Sequence, residues 1–289
     1  MIKGTIVKGI GGFYYVKAED DTIYECKARG VFRKRHITPT IGDKVLIDLE
    51  NGKGFIEEIE KRRNKLVRPS VANVDTLVIV VATLSPEPDL SVIDKMIVNA
   101  HINDIEPVIC LNKTDIGKRD DIIEIYKNAG YTVLEVSATE NSGIDELKSL
   151  LKGKVTAFAG LSGVGKSSIL SIVTESELET GKVSDKIQRG KHTTRHTELF
   201  EIDKDSYVLD TPGFGSLEAE SIDYQNLWQC FPEMHEVNSD CRFRGCSHIN
   251  EPDCAVKKLV EEGKIAQSRY QSYKEIYAVR KSVKAWQDK

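Results

Sequence analysis

An eight-residue glycine-rich segment carries the clearest chemical signature in the sequence. It fits G-x-x-x-x-G-K-S and consists of Gly160, Leu161, Ser162, Gly163, Val164, Gly165, Lys166 and Ser167. An apolar run (155–159) precedes it and a helical pattern (168–174) follows it, which is the setting of a phosphate-binding loop. The glycines let backbone N–H groups surround phosphates, Lys166 meets the β and γ phosphates, and the Ser167 hydroxyl can ligate Mg²⁺. We predict a nucleotide site that extends to Ser168.

A second polar segment indicates which base that nucleotide carries. It consists of Asn112, Lys113, Thr114 and Asp115 and follows the apolar run 107–111. The Asp115 carboxylate can accept hydrogen bonds from the ring N–H and the exocyclic amine of guanine, whereas adenine would leave one of those positions without a donor. Asn112 and the Lys113 stem would brace the loop and cover the ring. Ser137 and Ala138 are placed to offer a backbone N–H to the guanine carbonyl. Such residues are common in surface loops, but beside a phosphate loop they predict GTP rather than ATP.

Asp210-Thr211-Pro212-Gly213 follows another apolar strand and can serve the same site. Asp210 would help to hold Mg²⁺, and the Gly213 N–H can meet the γ-phosphate. A simple Asp-Pro-Gly turn is the alternative. The polar stretch 189–195 lies where a switch loop belongs, and Thr193 or Thr194 would complete the Mg²⁺ shell. The sequence alone does not distinguish these two threonines. The predicted Mg²⁺ ligands are Ser167, Asp210 and, as the representative of the threonine pair, Thr194.

Four metal-binding residue types stand close together near the C-terminus. Cys241, Cys246, His248 and Cys254 form C-x4-C-x-H-x5-C. Three thiolates and one imidazole suit a closed tetrahedral Zn²⁺ site, which leaves no position for water and is therefore structural. Buried thiols without metal are the alternative. Cys230 is set aside because it lies eleven positions upstream in an apolar setting.

The segments that surround these motifs change character twice along the chain. Residues 1–64 alternate apolar and polar in short runs without a helix, which predicts an all-β barrel of the oligonucleotide-binding (OB) type. The basic stretch 61–65 reads as a linker. From residue 65 to 225, apolar strands alternate with amphipathic helices, which predicts an α/β sheet with ligands at the carboxyl ends of its strands. Residues 226–289 read as mainly α-helical, with a long helix near 265–286 in which Tyr270, Tyr273 and Tyr277 are packing residues.

The order of the nucleotide motifs is itself informative. Many GTPases place the phosphate loop before Asp-x-x-Gly and Asn-Lys-x-Asp, whereas here residues 112–115 and 137–138 precede residues 160–167. We interpret this as a circular permutation, which a compact domain with neighbouring termini tolerates. A consequence is that the Asp210 segment leads directly into the C-terminal region.

Charge and composition limit the possible partners and locations. The 289 residues carry a net charge of −4, with +5 in residues 1–70, −14 in 71–254 and +5 in 255–289. Basic ends around an acidic middle argue against indiscriminate nucleic-acid binding but leave two surfaces for local phosphate contacts, or simply solvated faces. The N-terminus has no secretory signal and the longest apolar run, Thr76 to Leu84, cannot span a membrane. We expect a cytoplasmic monomer with reduced cysteines and no membrane association.

The barrel, the permuted motif order and the cysteine pattern together resemble the RsgA (YjeQ/YloQ) family of ribosome-small-subunit-dependent GTPases over nearly the whole chain. The resemblance implies an OB domain, a permuted GTPase domain and a zinc domain that act in late maturation of the small ribosomal subunit and contact its rRNA. It also implies a catalytic role for His192, beside Thr193, Thr194 and Gly213. Phe214 stands where Ras-like enzymes have a water-orienting glutamine, so unaided turnover should be slow.

Two other functions are compatible with parts of the pattern. A nucleotide-gated RNA-binding module would need little hydrolysis, and Phe214 is consistent with it. An ATP-dependent RNA remodelling enzyme would require ATP to compete with GTP despite Asp115. Turnover of GTP with and without small subunits, and competition by ATP, separate these functions.

Overall fold

The computed structural model describes residues 1–67, 69–175, 197–211 and 223–287. The chain forms two compact units. One lies within residues 1–77, 144–158 and 166–212, and the other lies within residues 78–143, 159–165 and 213–289. The domain boundaries 1–64, 65–225 and 226–289 stay predictions.

Five strands near the N-terminus close into a barrel in the order β1-β2-β3-β5-β4. They are β1 (Ile2–Ile10), β2 (Phe13–Ala18), β3 (Ile23–Ala28), β4 (Lys44–Glu50) and β5 (Lys53–Ile59). Their inward side chains form one apolar core, because alternate residues of a strand share a face: Ile6, Val16, Cys26, Val45, Ile47 and Ile56. This confirms the predicted barrel. The expectation of no helix was wrong: α1 (Gly30–Lys34) follows β3 and buries Phe32, but its five residues are too few to show a helical period.

A bulge in β1 connects the barrel to a later segment of the same unit. The pairing of β1 with β2 shifts between Ile6 and Lys8. The carbonyl of the intervening Val7 accepts a hydrogen bond from the Leu199 N–H at 2.9 Å. Lys8 Nζ lies 2.8 Å from Glu198 Oε2. The chain that precedes Asp210 is therefore attached to the barrel wall.

The basic stretch after the barrel, which was interpreted as a linker, forms specific hydrogen bonds. The Arg62 guanidinium donates to both carboxylate oxygens of Asp43 at 2.6 and 2.7 Å, and the Asp43 side chain has no solvent exposure. Asn64 exchanges hydrogen bonds with the backbone of Val74. These contacts stabilise a small hairpin formed by β6 (Lys65–Leu66) and β7 (Val71–Ala72). A charge run can thus hold the chain in place rather than face solvent.

Six strands form the central sheet in the order β10-β9-β8-β11-β13-β12. They are β8 (Thr76–Ala82), β9 (Glu106–Asn112), β10 (Thr132–Glu135), β11 (Val155–Ala159), β12 (Phe200–Asp203) and β13 (Ser206–Asp210). Strand β10 runs parallel to β9 and β11 runs parallel to β13, whereas β12 is antiparallel to β13. The connecting helices are α2 (Leu90–Ile102), α3 (Asp120–Asn128), α4 (Ile144–Leu151) and α5 (Lys166–Val173). The predicted α/β pattern is confirmed.

Short helices and one long helix form the C-terminal region. Two 3₁₀ turns (Tyr224–Cys230 and Asn238–Asp240) alternate with α6 (Pro232–His235), α7 (Ala255–Glu261) and α8 (Gln267–Gln287). Tyr270 and Tyr273 are buried in its core together with Phe231 and Met234, which agrees with a packing role for these tyrosines. Across the described ranges, no helix combines the length and the apolar character that a membrane span requires.

Candidate nucleotide site and metal cluster

The phosphate loop joins β11 to α5 through glycines that no other residue could replace without strain. Gly160 has a φ of +145°, and a Cβ there would lie 2.3 Å from the carbonyl oxygen of Val80. Gly165 has a φ of +95°, and its Cβ would lie 2.2 Å from the side-chain nitrogen of Asn112. Val164 is buried, whereas Leu161, Ser162, Gly163, Ser167 and Ser168 are exposed. The loop backbone therefore lies close to Val80 and Asn112. Residues 161–163 remain accessible to a ligand.

Asn112 connects the phosphate loop to the guanine segment. Its side-chain Nδ2 donates to the Val164 carbonyl at 2.9 Å, and its Oδ1 accepts from the Ala138 N–H at 3.2 Å. The side chain is only 2% exposed. The Ala138 N–H, which the sequence places with Ser137 as a donor to the guanine carbonyl, is thus directed at Asn112. Guanine would share or take over this donor.

Lys113 lies across the same loop in a left-handed conformation, with a φ of +67°. Its ammonium donates to the Gly163 carbonyl at 2.8 Å and to the Ser85 carbonyl. The Thr114 side chain is also fixed, because its hydroxyl donates to the Val136 carbonyl at 3.1 Å. The extended Lys113 stem is thereby fixed in place beside the exposed Asp115.

Ser137 has a role that the sequence analysis did not foresee. Its hydroxyl donates to Asp115 Oδ1 at 2.7 Å and accepts from the Glu140 N–H at 3.1 Å, while its side chain is fully buried. Hydrogen bonds of this kind fix the carboxylate that would read the guanine edge. Ser137 therefore fixes the position of the Asp115 carboxylate.

The segment after β8 also contacts the 112–115 loop, although none of the predicted motifs includes it. The Thr83 hydroxyl donates to the Lys113 carbonyl at 2.8 Å, and Ser85 accepts from the Lys113 ammonium. Arg119 donates to the Thr83 carbonyl and pairs with Glu87 at 2.8 Å. A usable signal was present, since residues beyond the carboxyl end of a parallel strand commonly line the ligand site.

Lys166 and Asp210 interact electrostatically in a partly desolvated setting. Burial lowers the pKa of Lys166, while Asp210 opposes that shift. Burial likewise raises the pKa of Asp210, against the influence of Lys166 and of the Thr211 N–H. Asp210 Oδ1 is buried and has no hydrogen-bond partner in the part of the chain that the structure describes. This oxygen of Asp210, which interacts electrostatically with Lys166, is suited to a contact with a Mg²⁺-nucleotide complex. The Mg²⁺ would be the partner that the oxygen otherwise lacks.

The predicted switch residues lie outside the described residues. These are His192, Thr193, Thr194 and Gly213, together with Phe214. Thr211, at the described end of this segment, is buried and donates its hydroxyl to the Phe158 carbonyl at 2.8 Å. Its side chain fixes the backbone that follows Asp210.

The three cysteines and the histidine of the C-terminal motif come together in one cluster. The ligand atoms of Cys241, Cys246, His248 and Cys254 all lie within 4.8 Å of one another. Cys241 Sγ is 3.6 Å from His248 Nδ1 and 3.9 Å from Cys254 Sγ, and Nδ1 is 3.4 Å from Cys254 Sγ. A tetrahedron with Zn–S bonds of about 2.3 Å and a Zn–N bond of about 2.0 Å has edges of roughly 3.5 to 3.8 Å. The cluster can therefore bind zinc.

Surrounding groups hold the ligand loop in shape. The hydroxyls of Tyr270 and Tyr273 each donate at 2.7 Å, to the carbonyls of His248 and Ser247 respectively. Burial raises the pKa of Cys246 to about 12, so a thiolate here requires a nearby cation to offset its desolvation. Cys230, which was excluded from the predicted ligands, is buried in the apolar core of this region.

Protein-family models match two parts of the chain. The model of the RsgA N-terminal domain matches residues 3–56, and the model of the RsgA GTPase matches residues 59–220. The second match alone spans more than half of the 289 residues.

Curated relatives align with the chain over almost its full length. The protein from Ruminiclostridium cellulolyticum is 48% identical over 295 residues, which covers 99% of this chain and 96% of the relative. The protein from Agathobacter rectalis is 44% identical and covers 95% and 96% of the two chains. Both relatives are named small ribosomal subunit biogenesis GTPase RsgA.

Two solved structures are similar to this fold. A crystal structure of YloQ, described as a circularly permuted GTPase, has a TM-score of 0.83 at 37% identity and covers 98% of this chain and 96% of that chain. A crystal structure of YjeQ from Thermotoga maritima has a TM-score of 0.83 at 36% identity, covering 96% and 98%. The permuted motif order read from the sequence thus has a counterpart of known structure.

Proposed function

Because this chain belongs to the RsgA GTPase family, it is a GTPase, and we propose that it hydrolyses GTP to GDP and phosphate during maturation of the small ribosomal subunit. The observation that carries this proposal is the link between base reader and phosphate loop. Asn112 bonds Val164 of the phosphate loop, and Ser137 orients Asp115. The names of the curated relatives supply the ribosomal setting.

Within the nucleotide site, each motif has its own part of GTP to bind. The backbone of residues 160–165 surrounds the phosphates, Lys166 neutralises their charge, and Ser167 and Ser168 contact them from the start of α5. Asp115 accepts from the guanine N–H groups and Lys113 covers the ring. Thr114 and Ser137 support the loop, and Ala138 is the donor for the guanine carbonyl.

The site would hold Mg²⁺ together with GTP, and the ion would neutralise charge on the phosphates. The proposed protein ligands are Ser167, Asp210 and Thr194, and the unpartnered Asp210 oxygen supports this set. Zn²⁺ is proposed as the resident structural ion of the Cys241, Cys246, His248 and Cys254 cluster, whose ligand distances suit it.

Hydrolysis needs a group to orient water, and Phe214 cannot supply one. We assign this role to His192, with Thr193 and the Gly213 N–H beside the γ-phosphate. The resulting enzyme turns over slowly by itself and faster on the subunit. His192→Ala should lower subunit-stimulated turnover without loss of GTP affinity. His196→Ala is the matched control, since it removes the other histidine of the same stretch.

A basic patch on the barrel is the proposed rRNA contact. From Lys27 to Gly42, both included, the sequence has five Lys or Arg residues and no Asp or Glu. Phe32 anchors α1 in the barrel core, while Arg33, Lys34 and Arg35 are exposed and form no ion pair with any described residue. Replacing these three with Gln should lower the slope of log affinity against log salt by about 2 to 3, because each phosphate contact contributes roughly 0.7 to 0.9. Lys118, Lys127 and Lys152 provide an exposed control triplet.

Turnover of GTP with and without purified small subunits tests the proposal as a whole. Stimulation of the wild-type protein is expected. Unchanged turnover together with GTP-dependent subunit binding would instead indicate a nucleotide-gated RNA-binding module. The cytoplasmic location follows from the ribosomal partner, and the monomeric state stays a prediction.

A further inference from the structure

The loop between the first two cysteines of the metal cluster presents an aromatic ring to solvent. Cys241 and Cys246 are its ends, and the four residues between them are exposed. Phe243 is 43% exposed, whereas Phe231 and Tyr273 of the same region are fully buried. The ring of Phe243 therefore contributes little to the core that holds this region together, and its face is accessible to a ligand.

The base of this loop is held rigidly. Both ends belong to the cysteine cluster, where the proposed Zn²⁺ would fix them, and the Arg242 N–H donates to the Asp253 carbonyl at 3.4 Å. The Arg242 side chain also pairs with the Asp253 carboxylate at 2.7 Å. Gly245 turns the chain back with a φ of +73° and has open space around it. A ring on such a support loses little conformational entropy when it binds a ligand.

One guanidinium lies beside the ring, and a second arginine follows Phe243 in the sequence. The Arg242 guanidinium carbon lies 5.5 Å from the centre of the Phe243 ring. Arg244 is exposed, and its side chain has no ion-pair partner among the described residues. Asp253 is paired with Arg242, and Glu251 accepts hydrogen bonds from the Ser247 hydroxyl and the Ile249 N–H, both outside the loop. Among the described residues, Arg244 is therefore the cation adjacent to Phe243 in sequence that no carboxylate pairs with.

This combination favours a nucleotide over an apolar protein surface. Among large hydrophobic side chains described between residues 223 and 283, the exposed ones are Phe243 and Val279, so the ring is not part of a broad apolar patch of the kind that proteins bury. Unpaired bases stack on single aromatic rings, and arginines beside the ring contact the base plane or the phosphate.

We propose that the Cys241–Cys246 loop binds one unpaired RNA nucleotide, with its base stacked on Phe243 and its phosphate at Arg244. The proposal deepens the ribosomal function proposed above and rests on it for the identity of the RNA. It assigns the metal cluster a second purpose, since the cluster holds the ring in a fixed position.

Binding of a single-stranded 12-nucleotide oligouridylate to the full-length protein tests the site. Phe243→Ala and Phe243→Leu should each weaken binding by roughly 5- to 100-fold, which is the usual effect of losing one stacked base. Phe243→Trp should retain affinity, and the added indole fluorescence should be quenched as the oligonucleotide binds. Arg244→Gln should weaken binding and reduce the salt slope by about 0.7. Val279→Ala is the matched control for loss of an exposed apolar side chain.

Metal content and the urea midpoint of each variant confirm that the loop is intact. Wild-type affinity in Phe243→Ala, or no oligonucleotide binding by the wild-type protein, would overturn the proposal. Full affinity in Phe243→Leu would show an apolar contact rather than stacking and would also overturn it. Because this assay contains neither GTP nor ribosomal subunits, its failure is distinct from a failure of subunits to stimulate turnover.

Discussion

Arg269 Nη1 lies 2.6 Å from Asp94 Oδ1, although the two residues are 175 positions apart and their side chains are at most 1% exposed. Arg269 also donates to both carboxylate oxygens of Glu233 at 2.8 and 3.2 Å. Burial disfavours the Arg269 cation, but these two carboxylates hold the pKa of Arg269 well above its usual value. Arg269 lies in α8 and Asp94 lies in α2, so this buried ion pair connects the C-terminal helix to a helix that packs on the central sheet.

Removing the charge of Asp94 should destabilise the protein strongly. Asp94→Asn leaves the buried guanidinium with one carboxylate fewer, and breaking a buried pair typically costs about 3 to 5 kcal/mol. Urea unfolding followed by circular dichroism measures the change in the free energy of unfolding. Asp121→Asn, which removes the exposed ion pair with Arg119, is the control and should cost less than about 1 kcal/mol. Equal effects of the two substitutions would contradict a stabilising role for the network.

His101 should make stability depend on pH. Its ring Nε2 lies 3.1 Å from the Tyr131 hydroxyl, and burial, followed by the nearby Arg269 charge, lowers the pKa of His101 to about 4. The folded state therefore keeps this histidine neutral, whereas the unfolded chain protonates it near pH 6.5. Its contribution is fully present above about pH 6.5 and is lost as the pH falls towards 4, by at most roughly 3 kcal/mol.

The comparison of two variants isolates this contribution. His101→Gln removes the titrating group, so the free energy of unfolding should fall less steeply between pH 7 and pH 4 than in the wild-type protein. His36→Gln, at an exposed position after α1, should leave the wild-type slope intact. A His101→Gln slope identical to that of the wild type would show that another group controls the acid response.

Strands buried on both faces were predictable from the sequence, and exposed ones were not. The apolar run 155–159 coincides with β11 and the run Thr76 to Leu84 contains β8, because every residue of these strands is buried and a continuous apolar run results. Strand β12 was missed, since its exposed residues lack any apolar period and it is defined by antiparallel pairing with β13. Pairing partners of an edge strand are a tertiary property that a single sequence does not display.

The motifs predicted which residues belong to the candidate nucleotide site. They did not predict which hydrogen bonds each of these residues forms. Ser137 and Ala138 were expected to offer a backbone N–H to guanine, and the Ser137 side chain has the additional contact to Asp115. The contribution of Ser85 is a backbone carbonyl, which no residue type reveals. Motifs report which side chains chemistry requires, and backbone contacts depend on the fold that brings distant loops together.

Removal of the proposed Zn²⁺ should unfold the C-terminal region selectively. The thiolates of three cysteines that lie within 4.8 Å of one another would repel one another without a cation, and a structural Zn²⁺ contributes its binding energy to folding. Cys254→Ala should abolish stoichiometric zinc and lower the melting temperature. Cys230→Ala is the control, because burial raises the pKa of this thiol to about 11 and it lies outside the cluster. Stoichiometric zinc in Cys254→Ala would contradict the assigned ligand set.

The substitution Asp115→Asn, which replaces one carboxylate oxygen by an NH₂ group, should change the preferred base from guanine to xanthine. The carboxylate accepts two N–H donors of guanine, whereas the amide of Asp115→Asn has one acceptor and one donor. Xanthine matches this amide, because it carries a carbonyl where guanine carries its exocyclic amine. A site built to hydrogen-bond one edge rejects the mismatched edge strongly, so GTP affinity should fall roughly 100-fold or more while XTP affinity rises. Turnover measured with each nucleotide, and in competition, reports the change.

Ser137→Ala separates base recognition from simple loss of order in the loop. It removes the 2.7 Å hydrogen bond to Asp115 but leaves the carboxylate in place. One lost hydrogen bond to a charged group corresponds to about 1.5 kcal/mol, or roughly tenfold in affinity. GTP should therefore bind more weakly to Ser137→Ala and still be preferred over XTP. Retention of the GTP preference in Asp115→Asn would mean that Asp115 does not read the base, and the guanine edge would then have to be recognised elsewhere in the loop.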